Sequence, residues 1–139
     1  MKKIKLIALL VVVLVMLTAC GGKTLTCEIE FEEGFETNTI YRFNRTGDEI
    51  IKIETSSTVT LTEDIVEENY IITKRECEEL DEPGLKCSVT RRGNTIISTT
   101  TIDVSRLSSD SDAFNKELLK STYDDIKNMA EDIPFMTCR

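Results

Sequence analysis

The pattern of apolar and polar residues predicts β-strands in the first half of the chain. Between Leu25 and Phe31, apolar side chains alternate with threonine and glutamate, the period-2 pattern of a strand with one buried and one polar face. A second strand is expected over about 37–44, a turn at 45–48, and a third strand over 49–61, which is rich in Ile, Thr and Val. These three segments predict an antiparallel meander.

The spacing of apolar residues changes to that of a helix after residue 61. Thr62 is followed by acidic residues, the composition of a helix N-terminus, and the Asp-Glu-Pro-Gly stretch at 81–84 ends the segment. The residues that recur at helical spacing are Val66, Tyr70, Thr73, Cys77 and Leu80.

A hairpin and two short helical segments are expected in the remainder of the chain. Alternating apolar and polar residues indicate the strands, a Gly-Asn turn joins them, and a polar loop separates the hairpin from the helical segments. The expected elements are strands from about 85 to 92 and over 95–104, a loop at 108–112, and short helices over about 113–120 and 122–132. The predicted fold class is α+β: an antiparallel sheet of about five strands (three-stranded meander, helix, hairpin), with one long helix and one or two C-terminal helices packed on it.

The first nineteen residues have the layout of an export signal. Lys2, Lys3 and Lys5 precede an apolar run over 6–17 that contains no charge. A membrane-spanning helix needs about 20 apolar residues, and this run is shorter. Its length therefore favours a signal peptide.

The signal ends in Leu17-Thr18-Ala19-Cys20, which resembles the bacterial lipobox. The resemblance implies that the Cys20 thiol receives a diacylglyceryl group and that a peptidase cuts before it. Two acyl chains, at about 0.8 kcal/mol per buried methylene, hold a protein stably at a membrane where one chain holds it marginally. The expected organisation is a signal peptide over 1–19, a lipid-anchor linker over 20–24 and a single extracytoplasmic domain over 25–139 at the cell membrane.

The charge of the chain argues against a nucleic-acid partner. Three of the 17 basic residues and none of the 25 acidic residues precede Cys20, so the mature part has a net charge of about −11. Phosphate binding needs a basic stripe, and only Lys74-Arg75 and Arg91-Arg92 are adjacent basic pairs in that part. The expected partners are the membrane, through the lipid, and an envelope protein or glycan.

Four cysteines remain after Cys20, an even number that argues for disulfide bonds in an exported domain. Three connectivities are possible. The lack of a Cys-x-x-Cys pair and of histidine argues against a zinc site and redox catalysis. Because Cys77 falls near the end of the predicted helix and Cys87 early in the next strand, we expect these two to pair, which joins Cys27 to Cys138.

Carboxylates are the remaining candidates for chemistry. Without histidine, a phosphate-binding loop or a nucleophile motif, no catalytic residue, metal or cofactor is assigned and enzymatic activity is not expected. The alternative is a carboxylate-based enzyme that acts on envelope material. Glu28, Glu30 and Glu32 line one strand face and form a candidate acidic binding face, although such a run is also typical of a solvated strand.

The threonine-rich stretches at 55–62 and 98–102 suggest a second kind of surface. Their hydroxyl groups could contact a glycan or a protein partner. The high β-propensity of threonine explains the same residues without any ligand.

Two segments extend the resemblance beyond the lipobox. The stretch "GLKCSVTRRGNTIISTTTIDVS" at 84–105 and the closing "STYDDIKNMAEDIPFMTCR" at 121–139 resemble small Gram-positive lipoproteins related to the YehR-like group. The resemblance implies an α+β domain outside the membrane, with Cys27 and the Thr137-Cys138-Arg139 ending matched to its early and near-terminal cysteines. It implies no particular activity. Cys77 and Cys87 are additions to this pattern.

Overall fold

The structure, a computed structural model, describes residues 22–32, 34–111 and 116–139, with the backbone alone at Phe31 and Glu32. The predicted signal peptide and Cys20 lie outside the described residues, as does the start of the first predicted C-terminal helix. In chain order the elements are β1 (Thr24–Glu32), β2 (Phe35–Phe43), β3 (Ile50–Thr60), α1 (Glu63–Glu79), β4 (Leu85–Arg92), β5 (Thr95–Asp103), a 3-10 helix (Val104–Arg106), α2 (Lys116–Leu119), α3 (Tyr123–Glu131) and β6 (Met136–Cys138).

The strands form one antiparallel sheet in the order β4-β5-β3-β2-β1-β6. The predicted meander is β1 to β3, and the predicted hairpin joins it because β5 pairs with β3. The α+β class is confirmed, with six strands where about five were predicted. The additional strand, β6, returns along the outer side of β1.

The main hydrophobic cluster lies at one end of a single sheet face. Leu25, Tyr41, Ile53, Ile102 and Leu85 are direct neighbours in register across five strands, so their side chains share that face. All five are buried. The C-terminal segment packs on this row of large side chains.

The two longer helices both begin after a threonine at the N-cap position, but in only one of them does the threonine side chain accept a hydrogen bond from the helix backbone. Thr122 accepts a hydrogen bond from the Asp125 N–H at 3.2 Å, and the Asp125 carboxylate accepts one from the Thr122 N–H at 2.8 Å. This reciprocal pair is a capping box. Thr62 occupies the predicted N-cap position of α1, but its hydroxyl donates to the Asp64 carboxylate instead.

Helix α3 closes the core through Ile126, which is 1% exposed. We expect Ile126→Ala to lower the free energy of unfolding by about 2–5 kcal/mol, because it removes buried methyl groups and leaves a cavity. Met129→Ala on the same helix is the matched control, since Met129 is 40% exposed. Urea denaturation of the disulfide-bonded protein measures both, and equal effects would contradict this packing.

Helix α1 packs on the hairpin, against β4 and β5. The predicted stripe is only partly buried, because the helix covers two strands near the edge of the sheet. Val66 is buried, Tyr70, Thr73 and Cys77 are half-buried, and Leu80 is exposed. Among the helices in the described residues, none is long and apolar enough to cross a membrane.

Candidate binding site at the β1–β6 edge

Two disulfide bonds position the outer elements of the fold. Cys27 bonds to Cys138, which lies directly opposite it on β6, and Cys77 bonds to Cys87, which ties the end of α1 to β4. Both are the pairs favoured by the sequence analysis. The first bond holds the C-terminal strand against β1.

The predicted acidic face lies on the side of the sheet opposite the core. Glu28 and Glu30 alternate along β1 with residues that face the core, and Glu30 is exposed. The Glu28 carboxylate accepts a hydrogen bond from the Arg139 guanidinium at 2.7 Å. The side chain of Glu32 is outside the described residues. The structure thus separates Glu28, which is ion-paired, from Glu30, which faces solvent.

A cavity of about 320 Å³ brings the acidic residues together with an aromatic ring. Its lining residues are Glu28, Glu30, Phe135 and Thr137. Thr137 belongs to β6 and lies opposite Glu28 in the register, so both side chains are on the same face. The cavity therefore lies where β1 pairs with β6.

Phe135 reaches this cavity because the chain turns sharply between α3 and β6. Its φ is 70°, in the left-handed region that bulky residues rarely adopt, and it is the one non-glycine residue with positive φ in the described part of the chain. The Met136 N–H donates to the Ile133 carbonyl across the turn. The Phe135 side chain is 73% exposed, so its ring faces solvent and the cavity instead of the core.

Carboxylates and an exposed aromatic ring suit a ligand with an ammonium or guanidinium group. The face of a phenylalanine ring attracts a cation within about 6 Å of its centroid, and a carboxylate accepts charge-assisted hydrogen bonds from the same group. The chain already contains one such contact, because Arg139 binds Glu28. With two carboxylates and one guanidinium, the site retains a net negative charge.

Three carboxyl groups outside the cavity have a lowered pKa, which does not suit acid catalysis. Burial acts to raise the pKa of Glu54, but hydrogen bonds and charge from Lys52 and Arg42 outweigh it and lower that pKa below its ordinary value. Hydrogen bonds likewise lower the pKa of Asp64 and of Asp125. A general acid needs a raised pKa, so none of these three carboxyl groups suits that role.

The threonine-rich strands use part of their hydroxyl groups within the sheet. Hydroxyl pairs join neighbouring strands at distances of 3.0–3.3 Å, the kind of cross-strand contact that stabilises a sheet. The pairs are Thr37 with Ser57, Thr39 with Thr55, and Thr60 with Thr95. None of these residues lines the cavity that contains Phe135.

Phe135 is the site residue that sequence analysis missed. Neither periodicity nor charge indicates it, and the only signal is its position directly after Pro134, beyond the end of the predicted helix, and shortly before Cys138. Within the residues that the structure describes, no three Cys, Asp or Glu side chains are grouped so as to hold a metal ion. In the cavity, the two carboxylates lie beside an aromatic ring.

The fold defines a class of α+β domains in which helices pack on an antiparallel sheet. Solved structures with this fold include the NMR structure of Escherichia coli YehR, at 14% identity and a TM-score of 0.51, over 63% of each chain. Another is the NMR structure of a protein from Streptococcus pneumoniae TIGR4, at 13% identity and a TM-score of 0.52, over 85% of this chain and 86% of that one. These similarities show a relation in fold alone. No family model and no curated protein matches the chain.

Proposed function

We propose that this protein is a bacterial lipoprotein, anchored through Cys20 at the extracytoplasmic side of the cell membrane, that acts as a binding or accessory module of the envelope. The basic start, the apolar run and the Leu17-Thr18-Ala19-Cys20 ending support the anchor. Two disulfide bonds are typical of an oxidising compartment outside the cytoplasm.

The exposed Phe135 ring beside Glu28 and Glu30 is the observation that carries the binding role. It favours a ligand with a lysine- or arginine-like group, and hence a protein partner over a glycan. A net charge of about −11 in the mature part adds long-range attraction for basic molecules. The alternative, a carboxylate-based enzyme, lacks support from the three carboxyl groups with shifted pKa.

A titration with a short lysine-containing peptide tests this proposal. The mature lipidated protein is placed in phosphatidylcholine nanodiscs, whose lipid carries no net charge to attract the peptide. We expect Phe135→Ala and Glu30→Gln each to weaken binding about two- to fivefold, the range expected for one exposed cation–π contact or one exposed ion pair.

Two control variants match these changes on helix α1. Ile71→Ala removes an apolar side chain that is 55% exposed, and Glu68→Gln removes one exposed carboxylate. Both should bind the peptide as the unmodified protein does. Equal weakening by Glu68→Gln would mean that net charge alone attracts the peptide. The assignment of peptide binding to the β1–β6 edge would then be wrong.

A further inference from the structure

The outer edge of β1 is only partly covered by β6. The strand β1 spans nine residues, whereas its register with β6 joins Cys27 to Cys138, Glu28 to Thr137 and Ile29 to Met136. One further backbone pair extends the contact at the other end, where Thr26 and Arg139 exchange two hydrogen bonds of 2.9 Å. The register with β6 therefore ends one residue before Glu30.

The direction of the main-chain groups follows from the Thr26 pair. In an antiparallel ladder, residues two apart point their N–H and C=O groups to the same side. Since Thr26 bonds toward β6, Glu28 and Glu30 direct their main-chain groups to that side as well. Glu30 would lie opposite Phe135 if β6 were one residue longer, but the pairing ends at Met136, next to the left-handed turn at Phe135.

We infer that the partner is a basic, extended polypeptide segment that adds to the sheet as a short strand at Glu30, in line with β6. This inference rests on the proposed function, because it uses the same cavity. Main-chain hydrogen bonds to an exposed strand edge are a general mode of peptide recognition.

The residue of the partner that lies opposite Glu30 must be the cationic one. Residues directly opposite each other in an antiparallel pair have side chains on the same face. Its side chain would therefore lie on the face of Glu28 and Thr137, beside the Phe135 ring. A lysine or arginine at that position places its charge between two carboxylates and an aromatic face.

The other edge of the sheet has the opposite charge. The edge strand β4 carries Lys86, Arg91 and Arg92, and like charges across a strand pair are destabilising. A basic segment is thus directed to β1 and away from β4. A second copy of this chain could present its own basic β4 to β1, which is the competing occupant.

Three probes distinguish strand addition from simple cation binding by the mature protein in phosphatidylcholine nanodiscs. The first is an acetylated heptapeptide of alternating valine and threonine that ends in an amidated lysine, because β6 already occupies the edge of β1 next to Glu30, and the second is the same peptide with the N–H groups on its pairing edge methylated. The third is 1-butylamine, which carries one ammonium group like the lysine side chain. We expect the first peptide to bind about tenfold more tightly than either of the other probes, because each of those lacks at least two of its main-chain hydrogen bonds. We also expect the first peptide to protect the Glu30 amide from hydrogen exchange.

The other possible outcomes test strand addition, the cationic site and the identity of the partner separately. If all three probes bind equally and Phe135→Ala weakens them, the cationic site stands and strand addition is overturned. If none binds, the proposed function fails as well. If sedimentation shows self-association that the first peptide disrupts, the occupant is a second copy, and the inference of a separate basic partner is overturned.

Discussion

Replacement of Cys20 by alanine is expected to abolish fatty-acid labelling of this protein completely. The Leu17-Thr18-Ala19-Cys20 ending offers one thiol at the position where a lipobox places its acceptor. Without that thiol no thioether to diacylglycerol can form, and stable anchoring by two acyl chains is lost. Metabolic labelling of a bacterium that expresses the protein with a fatty-acid analogue measures this effect.

A double variant, Cys77→Ala with Cys87→Ala, is the matched control for the labelling experiment. It removes two cysteines of the folded domain and leaves the lipobox-like ending intact, so it should take up label normally. Label that persists in Cys20→Ala would show that this cysteine is not the anchor.

The second large effect is expected from the bond between Cys27 and Cys138. The double variant Cys27→Ala with Cys138→Ala should lower the free energy of unfolding by about 5 kcal/mol, against about 3 kcal/mol for the Cys77→Ala and Cys87→Ala pair. The two sequence separations, 111 and 10 residues, explain the difference, because the longer loop restricts the unfolded chain more. Denaturant unfolding under non-reducing conditions measures both.

Peptide mapping of the oxidised protein checks the same account directly. It should recover one linked peptide pair with Cys27 and Cys138 and another with Cys77 and Cys87. A pair that joins Cys27 to Cys77, or four free thiols, would contradict the pairing. It would also remove the covalent support of β6, the strand that brings Thr137 and Arg139 beside Glu28.

Most of the sheet could be predicted because its strands are long and alternate regularly. The run from Leu25 to Phe31 shows both faces of β1, and the structure places Glu28 and Glu30 on the polar face as that alternation requires. Strand β6 could not be predicted, because Met136–Cys138 is too short to show a period. It pairs with β1 across more than a hundred residues of sequence, aided by a disulfide bond.

The site itself depends on two features without a local signal. The left-handed backbone at Phe135 determines where the ring points, and no spacing of apolar residues indicates that conformation. The ion pair between Arg139 and Glu28 joins residues 111 positions apart. Sequence analysis could therefore identify the carboxylates of the site but not the ring beside them.

Helix α1 shows how a correct pattern can overstate burial. Its residues follow helical spacing from Val66 to Cys77, and the helix forms over Glu63–Glu79. It packs only on the hairpin, and Val66 is its one side chain that the structure buries fully among the described residues. Tertiary placement near the edge of a sheet, which the spacing does not encode, decides how much of the stripe is covered.

The most direct test of the cationic site is a set of intermolecular NOEs between the C-terminal lysine of the bound heptapeptide and the unmodified protein. The account predicts NOEs from the lysine Hε protons to the Phe135 ring, since a cation–π contact places the ammonium group within about 6 Å of the ring centroid. Lysine NOEs to α1 or to β4, with none to Phe135, would contradict it.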